Sequence, residues 1–398
     1  MRHLLKNKAL WSLTLGHFAI DLFSGALPIV LLYLKDSLNL SLEQVGVVIG
    51  LYAISTSLAQ PLFGYFSDAI GGRWFAVGGL LWMSILHGFV GFMPTYETAL
   101  LIAVVAGFGS AAFHPQGASG ANVAAGDRKQ AGVAMFMVGG NTGYAIGPLL
   151  AGFILGVFGP RGTAVLAVIG LVITPVLYVL TDPKYVPITA PIDRKKANWK
   201  IQLNPAFTTV AVLALIGVMS LRATSQSSFT SFVPQYFTIV GGFSHQEAGT
   251  LSFLMLGALA AGSFTGGMLA DRVGPQRVMV ASLLATAPLM AIMVLLGDYR
   301  AFFIAPLLGF ASGAAWPPML VMSQTLFHKN AGVGTGIALG FVFAMGGVGT
   351  SLTGWLAVPE RLGLLIALLL LAALPLVNAL LVVFLPSQRR LQAAVGAV

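Results

Sequence analysis

Long apolar runs alternate along this chain with short segments that carry charge, glycine or proline. A helix rises 1.5 Å per residue, and about 20 apolar residues cross a hydrocarbon core of roughly 30 Å. The pattern therefore predicts twelve membrane-spanning helices. They lie near residues 9–34, 44–66, 74–93, 98–119, 131–156, 163–181, 206–233, 247–269, 278–297, 302–326, 333–357 and 362–385.

The composition favours the same fold class. Hydrophobic residues make up 57% of the 398 residues and charged residues only 8%, whereas a soluble domain is about 25% charged. We therefore expect an all-α integral membrane protein. The chain contains no cysteine, so no disulfide or thiol pattern indicates its compartment.

Lysine and arginine residues fall mainly on one side of the predicted membrane. With the N-terminus in the cytoplasm, sixteen of the 21 lie in cytoplasmic segments and four in outer loops. Because cytoplasmic loops retain positive charge, both termini are predicted to be cytoplasmic. The net charge of +9 then reflects topology. No nucleic-acid partner is expected, since the basic residues are scattered over seven segments.

Two sequence patterns occur once in each half of the chain. "GYFSDAIGGRW" (64–74) matches "GMLADRVGPQR" (267–277) at an offset of 203, and "GFGSAAFHP" (107–115) matches "GFASGAAWP" (309–317) at an offset of 202. Such spacing indicates one six-helix unit used twice. The predicted domains are an N-terminal bundle, 1–181, a basic cytoplasmic linker, 182–205, and a C-terminal bundle, 206–398.

The repeated G-x-x-x-D-x-x-G pattern resembles the signature of the major facilitator superfamily of secondary transporters. "GNTGYAIGPLLAG" (140–152) resembles a fifth-helix signature of its drug/proton antiporters. Together with "GHFAIDLFSGALP" (16–28) and "GFGSAAFHP", it is similar to the fosmidomycin-resistance family of bacterial efflux pumps. That family has an acid after His-Pro where this chain has Gln116, so no carboxylate acts at that position.

The resemblance implies two pseudo-symmetric six-helix bundles in a bacterial cytoplasmic (inner) membrane. Their first, fourth, seventh and tenth helices would line a central cavity, and the two halves would alternate around a midplane site. It also implies a monomer that works with the lipid bilayer, protons and a small-molecule substrate.

Ionisable side chains inside spans are costly and commonly functional. His17 and Asp21 are four residues apart and share one helix face. Asp21 lies about 18 Å from the cytoplasmic start of its helix, near the midplane. We predict that Asp21, His17 and His114 carry the coupling proton. Two alternatives remain open: an Asp21 ion pair that only fixes helix packing, and a His114 that only binds a carbonyl freed by Pro115.

Two further ionisable side chains lie in predicted spans. His87 is on a helix that the resemblance places at the periphery, which favours a structural role. Arg222 lies near the middle of the seventh helix and is predicted to bind an anionic or polar substrate group, with snorkelling to the interface as the alternative. The other candidate substrate contacts are Ser225 and Gln226 on its face, with Trp316 and Asn141.

Two sets of residues are assigned to conformational change. Acidic and basic residues of the repeated loops would pair to close the cytoplasmic side, and they form a predicted gate with Gly64, Asp68, Arg73, Gly267, Asp271, Arg272, Gly274 and Arg277. Small residues of the fifth helix would allow close helix packing, namely Gly143, Gly147, Pro148 and Gly152.

These observations predict a proton-coupled secondary transporter that exports a small polar or anionic organic compound or drug by alternating access. The alternative within transport is an importer or symporter of an organic anion. An intramembrane enzyme is disfavoured because the chain lacks HExxH, GxSxG and metal-ligand spacings. A channel is disfavoured because two repeats joined by a linker suit rocking halves better. No cofactor or metal is expected.

Overall fold

The computed structural model describes residues 6–70, 72–181, 204, 207–326 and 331–387, without the side chains of 67–70, 130 and 331–339. The predicted linker 182–205 therefore lies outside the described residues, apart from Asn204. The side chain of the predicted gate residue Asp68 also lies outside them.

The described residues form helices and turns, and they contain no β-strand. The α-helices are α1 (Lys8–Leu38), α2 (Leu42–Leu58), α3 (Gln60–Ile70), α4 (Gly72–Val90), α5 (Tyr96–Ala124), α6 (Lys129–Phe158), α7 (Thr163–Leu180), α8 (Thr209–Ile239), α9 (His245–Val273), α10 (Pro275–Leu296), α11 (Ala301–Ala314), α12 (Trp316–Leu326), α13 (Ala331–Ala357) and α14 (Gly363–Val382). Short 3₁₀ turns at Gly126–Arg128 and Gly159–Gly162 precede α6 and α7.

Among the described residues, eleven segments are long and apolar enough to cross a membrane. One of them, Ala131–Leu180, has 50 residues and would be roughly 75 Å long as a straight helix. The turn at Gly159–Gly162 divides it into α6 and α7, so this segment supplies two crossings. The all-α fold with twelve spans that the hydropathy pattern predicts is thus confirmed.

Two of the predicted spans are each divided into two helices at a proline. Pro61 is the second residue of α3 and Pro317 the second residue of α12. Proline suits the first turn of a helix, where its missing N–H would have no intrahelical partner. Pro115, the counterpart of Pro317 in the sequence repeat, lies inside the unbroken helix α5. The repeated prolines therefore differ in their effect on the backbone.

The ends of several helices follow from capping residues. Ser41 and Gln44 form a reciprocal capping box at the start of α2, and Thr95 and Thr98 form one at the start of α5. Each box satisfies two backbone N–H groups that have no partner within the helix. Asn39 lies at φ 52° after α1, a left-handed conformation that asparagine tolerates better than most residues.

The helices group into two compact units. Unit 1 comprises Met1–Ala197 with Phe243–Phe253, and unit 2 comprises Asn198–Gly242 with Leu254–Val398. Helix α9 accordingly begins in unit 1, and its residues from Leu254 onward belong to unit 2.

In unit 1, α1 packs closely against α6 through glycines spaced four residues apart. A side-chain carbon on Gly139, Gly143 or Gly147 would overlap a backbone carbonyl oxygen of α1, at Thr14, Phe18 and Leu22 respectively. Because both series repeat every four residues, the glycines lie on one face of α6 along one face of α1. The two backbones therefore meet without intervening side chains.

Candidate functional site

One carboxylate in unit 1 is contacted by two imidazoles. His17 lies one turn before Asp21 on α1, and its Nε2 is 3.1 Å from Asp21 Oδ2. His114 reaches the same carboxylate from α5, with its Nε2 3.2 Å from Oδ1. We call these three side chains the His–Asp–His cluster. It consists of the three residues that are predicted from the sequence to carry the coupling proton.

The second nitrogen of each imidazole contacts a backbone carbonyl. His17 Nδ1 is 2.8 Å from the carbonyl oxygen of Phe136, and His114 Nδ1 is 2.9 Å from that of Ser110. A carbonyl oxygen can only accept a hydrogen bond, so these two bonds require a hydrogen on each Nδ1. His114 Nδ1 also lies 3.1 Å from the Ser110 hydroxyl, and we assign the hydrogen to Nδ1 because the carbonyl contact is the shorter one. Each Nε2 is therefore the position at which the ring gains or loses a proton.

This hydrogen-bond pattern gives the cluster two proton-binding positions. A neutral imidazole with hydrogen on Nδ1 presents the Nε2 lone pair to a carboxylate oxygen, which repels it. A proton between Nε2 and the oxygen converts that contact into a charge-assisted hydrogen bond. With both protons present, two imidazolium rings bind one carboxylate. Without protons, neither contact can persist at these distances.

The surroundings of the cluster leave one side open. His17 is 3% exposed and its ring stacks on Phe136 at a centroid distance of 4.0 Å. The side chains of Asp21 and His114 are 21% and 25% exposed, so both are less enclosed than His17. On the side that faces α6, a Cβ on Gly140 would lie 2.6 Å from Asp21 Oδ2, so the carboxylate packs against the α6 backbone there.

A hydroxyl pair extends this site along α1. Ser24 Oγ is 2.7 Å from the hydroxyl of Tyr52, and Tyr52 interacts electrostatically with Asp21 and Tyr144. Tyr52, Phe136 and Gly140 are site residues that the sequence did not predict. Gly140 stands in the quoted fifth-helix motif, but the other two carry no sequence signal, because their role depends on how α2 and α6 are rotated.

The hydrogen bond of His114 bears on the alternative that this residue only satisfies a carbonyl freed by proline. Pro115 lacks the N–H that would bind the carbonyl four residues earlier, which belongs to Ala111. His114 instead binds the carbonyl of Ser110. Its Nε2 remains directed at Asp21, so the side chain does more than occupy the vacated bond.

The ligand atoms of His17, Asp21 and His114 lie within 4.8 Å of one another, and no other His, Asp and Glu group in the described residues meets that spacing. Each contact is already at hydrogen-bond distance, so the three side chains can bind one another without a metal ion.

In unit 2, Arg222 on α8 contacts two other helices. Its guanidinium donates to the carbonyl of Ser312 at 3.1 Å, and its Cζ lies 5.1 Å from the centroid of the Trp316 ring. The structure thus brings together two of the predicted substrate contacts, Arg222 and Trp316. A guanidinium has five N–H donors, so it can hold these contacts and also bind an anion.

The other predicted substrate contacts are placed differently. Ser225 is buried and donates to the carbonyl of Leu371 at 3.0 Å, so its hydroxyl joins α8 to α14. Gln226 is half-buried, and Asn141 is exposed on α6 of unit 1.

The predicted gate residues are only partly brought together. Arg73 donates to the carbonyl of Tyr178 at 2.6 Å and lies over its ring at 4.1 Å, which joins α4 to the end of α7. Among the described side chains, no ion pair joins Asp271 to Arg272 or Arg277, and all three are exposed.

The glycines of the predicted gate also differ. Gly274 has φ 95°, a backbone conformation that other residues rarely adopt, immediately before Pro275 at the start of α10. A Cβ on Gly267 would make only ordinary contact with Pro317, and one on Gly64 would meet no described atom within 4 Å.

His87 is 1% exposed on α4, and its ring lies 4.9 Å from that of Phe23. Its Nε2 has no hydrogen-bond partner among the described residues. It lies in the helix packing of unit 1.

Comparison with known proteins agrees with this architecture. The chain is 27% identical over 391 residues to the fosmidomycin resistance protein of Escherichia coli (strain K12), covering 96% of this chain and 93% of that protein. It is 29% identical over 381 residues to the MFS-type transporter YfnC of Bacillus subtilis (strain 168), covering 94% and 92%.

Among solved structures, a bacterial homologue of the human lysosomal transporter Spinster aligns with a TM-score of 0.77 at 16% identity, covering 94% of this chain and 95% of that one. The family model of the Major Facilitator Superfamily matches residues 13–261 and 221–396. Because these matches cover nearly the whole chain and the helical architecture agrees, the protein is a multi-pass membrane transporter that belongs to the Major Facilitator Superfamily.

Proposed function

We propose that this protein is a proton-coupled exporter of a small polar or anionic organic compound. The observation that carries the proposal is the His–Asp–His cluster. Each imidazole has its Nδ1 bound to a backbone carbonyl and its Nε2 directed at one Asp21 carboxylate oxygen. Such a cluster needs protons to hold its geometry, so loss of a proton has a structural consequence.

Proton release would act on the packing of α1 and α5. His17 and Asp21 belong to α1 and His114 belongs to α5, so a lost proton leaves a lone pair of one ring against a carboxylate oxygen. Repulsion would then separate Asp21 from that ring. Since His17 also stacks on Phe136 of α6, the change would extend to a third helix. This is the two-state element that a secondary transporter requires.

An ion pair that only fixes helix packing is the rival explanation of Asp21. A purely structural pair would be expected deep in the packing, with both partners enclosed. Asp21 and His114 are instead about a fifth to a quarter exposed, which supports exchange of protons with water.

On the substrate side, the arrangement of Arg222 and Trp316 supports a ligand with an anionic group. A planar guanidinium binds phosphonate or carboxylate oxygens in pairs, which a lysine cannot reproduce. A similar protein carries the name fosmidomycin resistance protein. Fosmidomycin has a phosphonate group, and it is the first compound to test.

Vesicle orientation distinguishes export from import. In everted vesicles with an acidic interior, fosmidomycin added outside should dissipate the pH gradient if the protein exchanges protons for substrate. An importer that carries substrate with protons would instead take up fosmidomycin into right-side-out vesicles with an acidic exterior. Export is contradicted if only the second preparation responds.

Two variants give the matched comparison in these vesicles. Asp21→Asn should remove the fosmidomycin-dependent proton flux. Asp127→Asn, an exposed carboxylate on the turn before α6, should leave the flux at the wild-type level. Equal loss in both variants would remove Asp21 from the mechanism.

A further inference from the structure

A second group of titratable side chains lies at the far end of α1. His245, the first residue of α9, places its Nε2 3.1 Å from Asp36 Oδ2. The Tyr33 ring meets the His245 ring edge-on at a centroid distance of 4.4 Å. Asp36 is fifteen residues beyond Asp21 on the same helix, about 22 Å along its axis, so this group is separate from the His–Asp–His cluster.

Backbone packing holds the start of α9 in the same place. A Cβ on Gly249 would lie 2.5 Å from the carbonyl oxygen of Pro148, and one on Gly152 would lie 3.2 Å from the Cα of Gln246. The hydroxyl of Tyr33 donates to the carbonyl of Gly152 at 3.0 Å. The first turns of α9 therefore pack directly on α6 and α1.

Among the described residues, charged groups near His245 lie on α1 and on α9 itself. On α1 they are the Asp36 carboxylate, the Lys35 ammonium 3.9 Å from Asp36 Oδ1, and the Tyr33 hydroxyl. On its own helix, Glu247 is used by the N-cap, where it accepts from the backbone N–H and the hydroxyl of Ser244. On α6, the facing positions are glycines and backbone carbonyls. Asp36 is thus the charge that protonation of His245 affects most.

We propose that Asp36, His245 and Tyr33 form a second proton-binding site, which holds Phe243–Phe253 against the rest of unit 1 when His245 is protonated. Protonation turns a neutral contact into a charge-assisted hydrogen bond. It also lets the imidazolium outcompete Lys35, whose ammonium lies farther from the carboxylate. Loss of the proton leaves Asp36 shared between a neutral ring and Lys35, and the segment is held less firmly.

The predicted topology places this site at the outer face of the membrane, since α1 starts in the cytoplasm and crosses once. Histidine side chains change charge between about pH 5 and 8, so an acidic exterior would tighten the contact with Asp36 and an alkaline exterior would loosen it. The site would therefore give the transporter a response to external pH that does not depend on the proton it carries. This inference goes beyond the proposed function and does not require it.

A buried cysteine probe tests the inference in this cysteine-free chain. Ala248 is 0% exposed within the held segment, so the thiol of Ala248→Cys reacts with a maleimide only when the segment detaches. Glu360→Cys, at an exposed position in the loop before α14, corrects for the pH dependence of the reaction itself. Both full-length proteins are labelled in liposomes.

The corrected labelling rate should rise several-fold between about pH 5 and pH 8 in the parent chain. When His245→Gln or Asp36→Asn is combined with Ala248→Cys, the labelling rate should be high and independent of pH. When His245→Lys is combined with Ala248→Cys, the labelling rate should stay low at both pH values, because the lysine remains charged. A flat rate in the parent chain, or an unchanged pH dependence in His245→Gln, would overturn the proposal.

The same labelling in an Asp21→Asn background separates this site from the His–Asp–His cluster. The pH response of Ala248→Cys should survive there, because Asp36 and His245 are intact. Loss of the response in that background would assign it to the cluster and overturn the second site. The proposed coupling role of Asp21 is not at issue in this result, since no transport is measured.

Discussion

Hydrogen bonds to the backbone fix the orientation of both imidazole rings in the His–Asp–His cluster. The Nδ1–H groups of His17 and His114 donate to the carbonyl oxygens of Phe136 and Ser110. Asp21 then faces two nitrogens whose proton occupancy decides between attraction and repulsion. The cluster therefore behaves as one unit, and changes in His17, Asp21 and His114 are not expected to be additive.

The pH dependence of substrate binding follows from this unit. Electrostatic attraction alone would make an anion bind more tightly at low pH, as a symporter requires. Exchange requires the opposite sign, because proton and substrate must weaken each other's binding by the same factor. We expect fosmidomycin affinity to fall as the pH drops from about 7.5 to 5.5. If one proton is linked to binding, the affinity should change by at most about tenfold per pH unit.

Isothermal titration of three purified variants checks this dependence. His114→Gln should bind fosmidomycin with a flattened pH profile, and Arg222→Gln should lose binding at every pH. Arg222→Lys should bind weakly, because a point charge replaces a planar fork. A wild-type profile in His114→Gln would confine His114 to a structural role, and affinity that rises on acidification would support import.

Gly140 gives a second prediction at the residue scale. In Gly140→Ala, the added methyl group meets the Asp21 carboxylate and the His17 ring, so the cluster must open. We expect folded protein with little or no proton-coupled flux in vesicles. Gly78→Ala on α4 is the matched control, since a Cβ there has no neighbour within 4 Å. Normal flux in Gly140→Ala would show that the cluster geometry is not needed.

Single residues of this site were predictable to different extents. The spacing of His17 and Asp21 places both on one face of a helix, and the rarity of charge within spans singles out His114 and Arg222. The contact of His114 with Asp21 was not predictable from spacing, because it depends on the rotation of α5 against α1. Ser225 shows the same limit: it was assigned to the Arg222 face, but its hydroxyl binds the carbonyl of Leu371.

At the level of helices, α1 and α6 form a closely packed pair in unit 1. Gly143 of α6 lies directly against the Phe18 carbonyl, and there is no room for a side chain between the two backbones. Gly143→Ala should therefore lower the free energy of unfolding by about 1–3 kcal/mol, even though alanine favours a helix by up to about 1 kcal/mol.

Denaturant unfolding in detergent micelles measures this difference. Gly257→Ala on α9 is the control, because a Cβ there meets nothing within 4 Å, and it should be neutral or stabilising. If the two variants unfold alike, the contact between α1 and α6 is less close than the glycine positions indicate.

Elements were predictable where hydropathy alone decides them. The twelve apolar runs correspond to helices because the length of each run matches the membrane. The break at Ala315 differs from the unbroken α5, although both sequences carry a matched proline. Pro317 stands next to Pro318 in α12, whereas Pro115 is a single proline in a long helix. The sequence next to each proline does not determine whether the proline interrupts a helix or is accommodated within it.

At the scale of the whole molecule, the repeated loops are predicted to control opening on the cytoplasmic side. Asp271→Ala should raise the rate at which a cytoplasmic maleimide labels Gln226→Cys, a half-buried position among the predicted substrate contacts. Asp68→Ala should do the same if the two loops act alike. The control is Asp127→Ala, and labelling equal to that control would remove Asp271 from the gate.

Accumulation of fosmidomycin in proteoliposomes under an imposed pH gradient measures proton coupling through Asp21. The amide that Asp21→Asn introduces can mimic a protonated carboxyl group without releasing a proton. Wild type should therefore accumulate the compound above equilibrium, while Asp21→Asn should still exchange it across the membrane but reach only equal concentrations on both sides. Accumulation by Asp21→Asn at the wild-type level, or a wild type indifferent to the gradient, would contradict proton coupling through the His–Asp–His cluster.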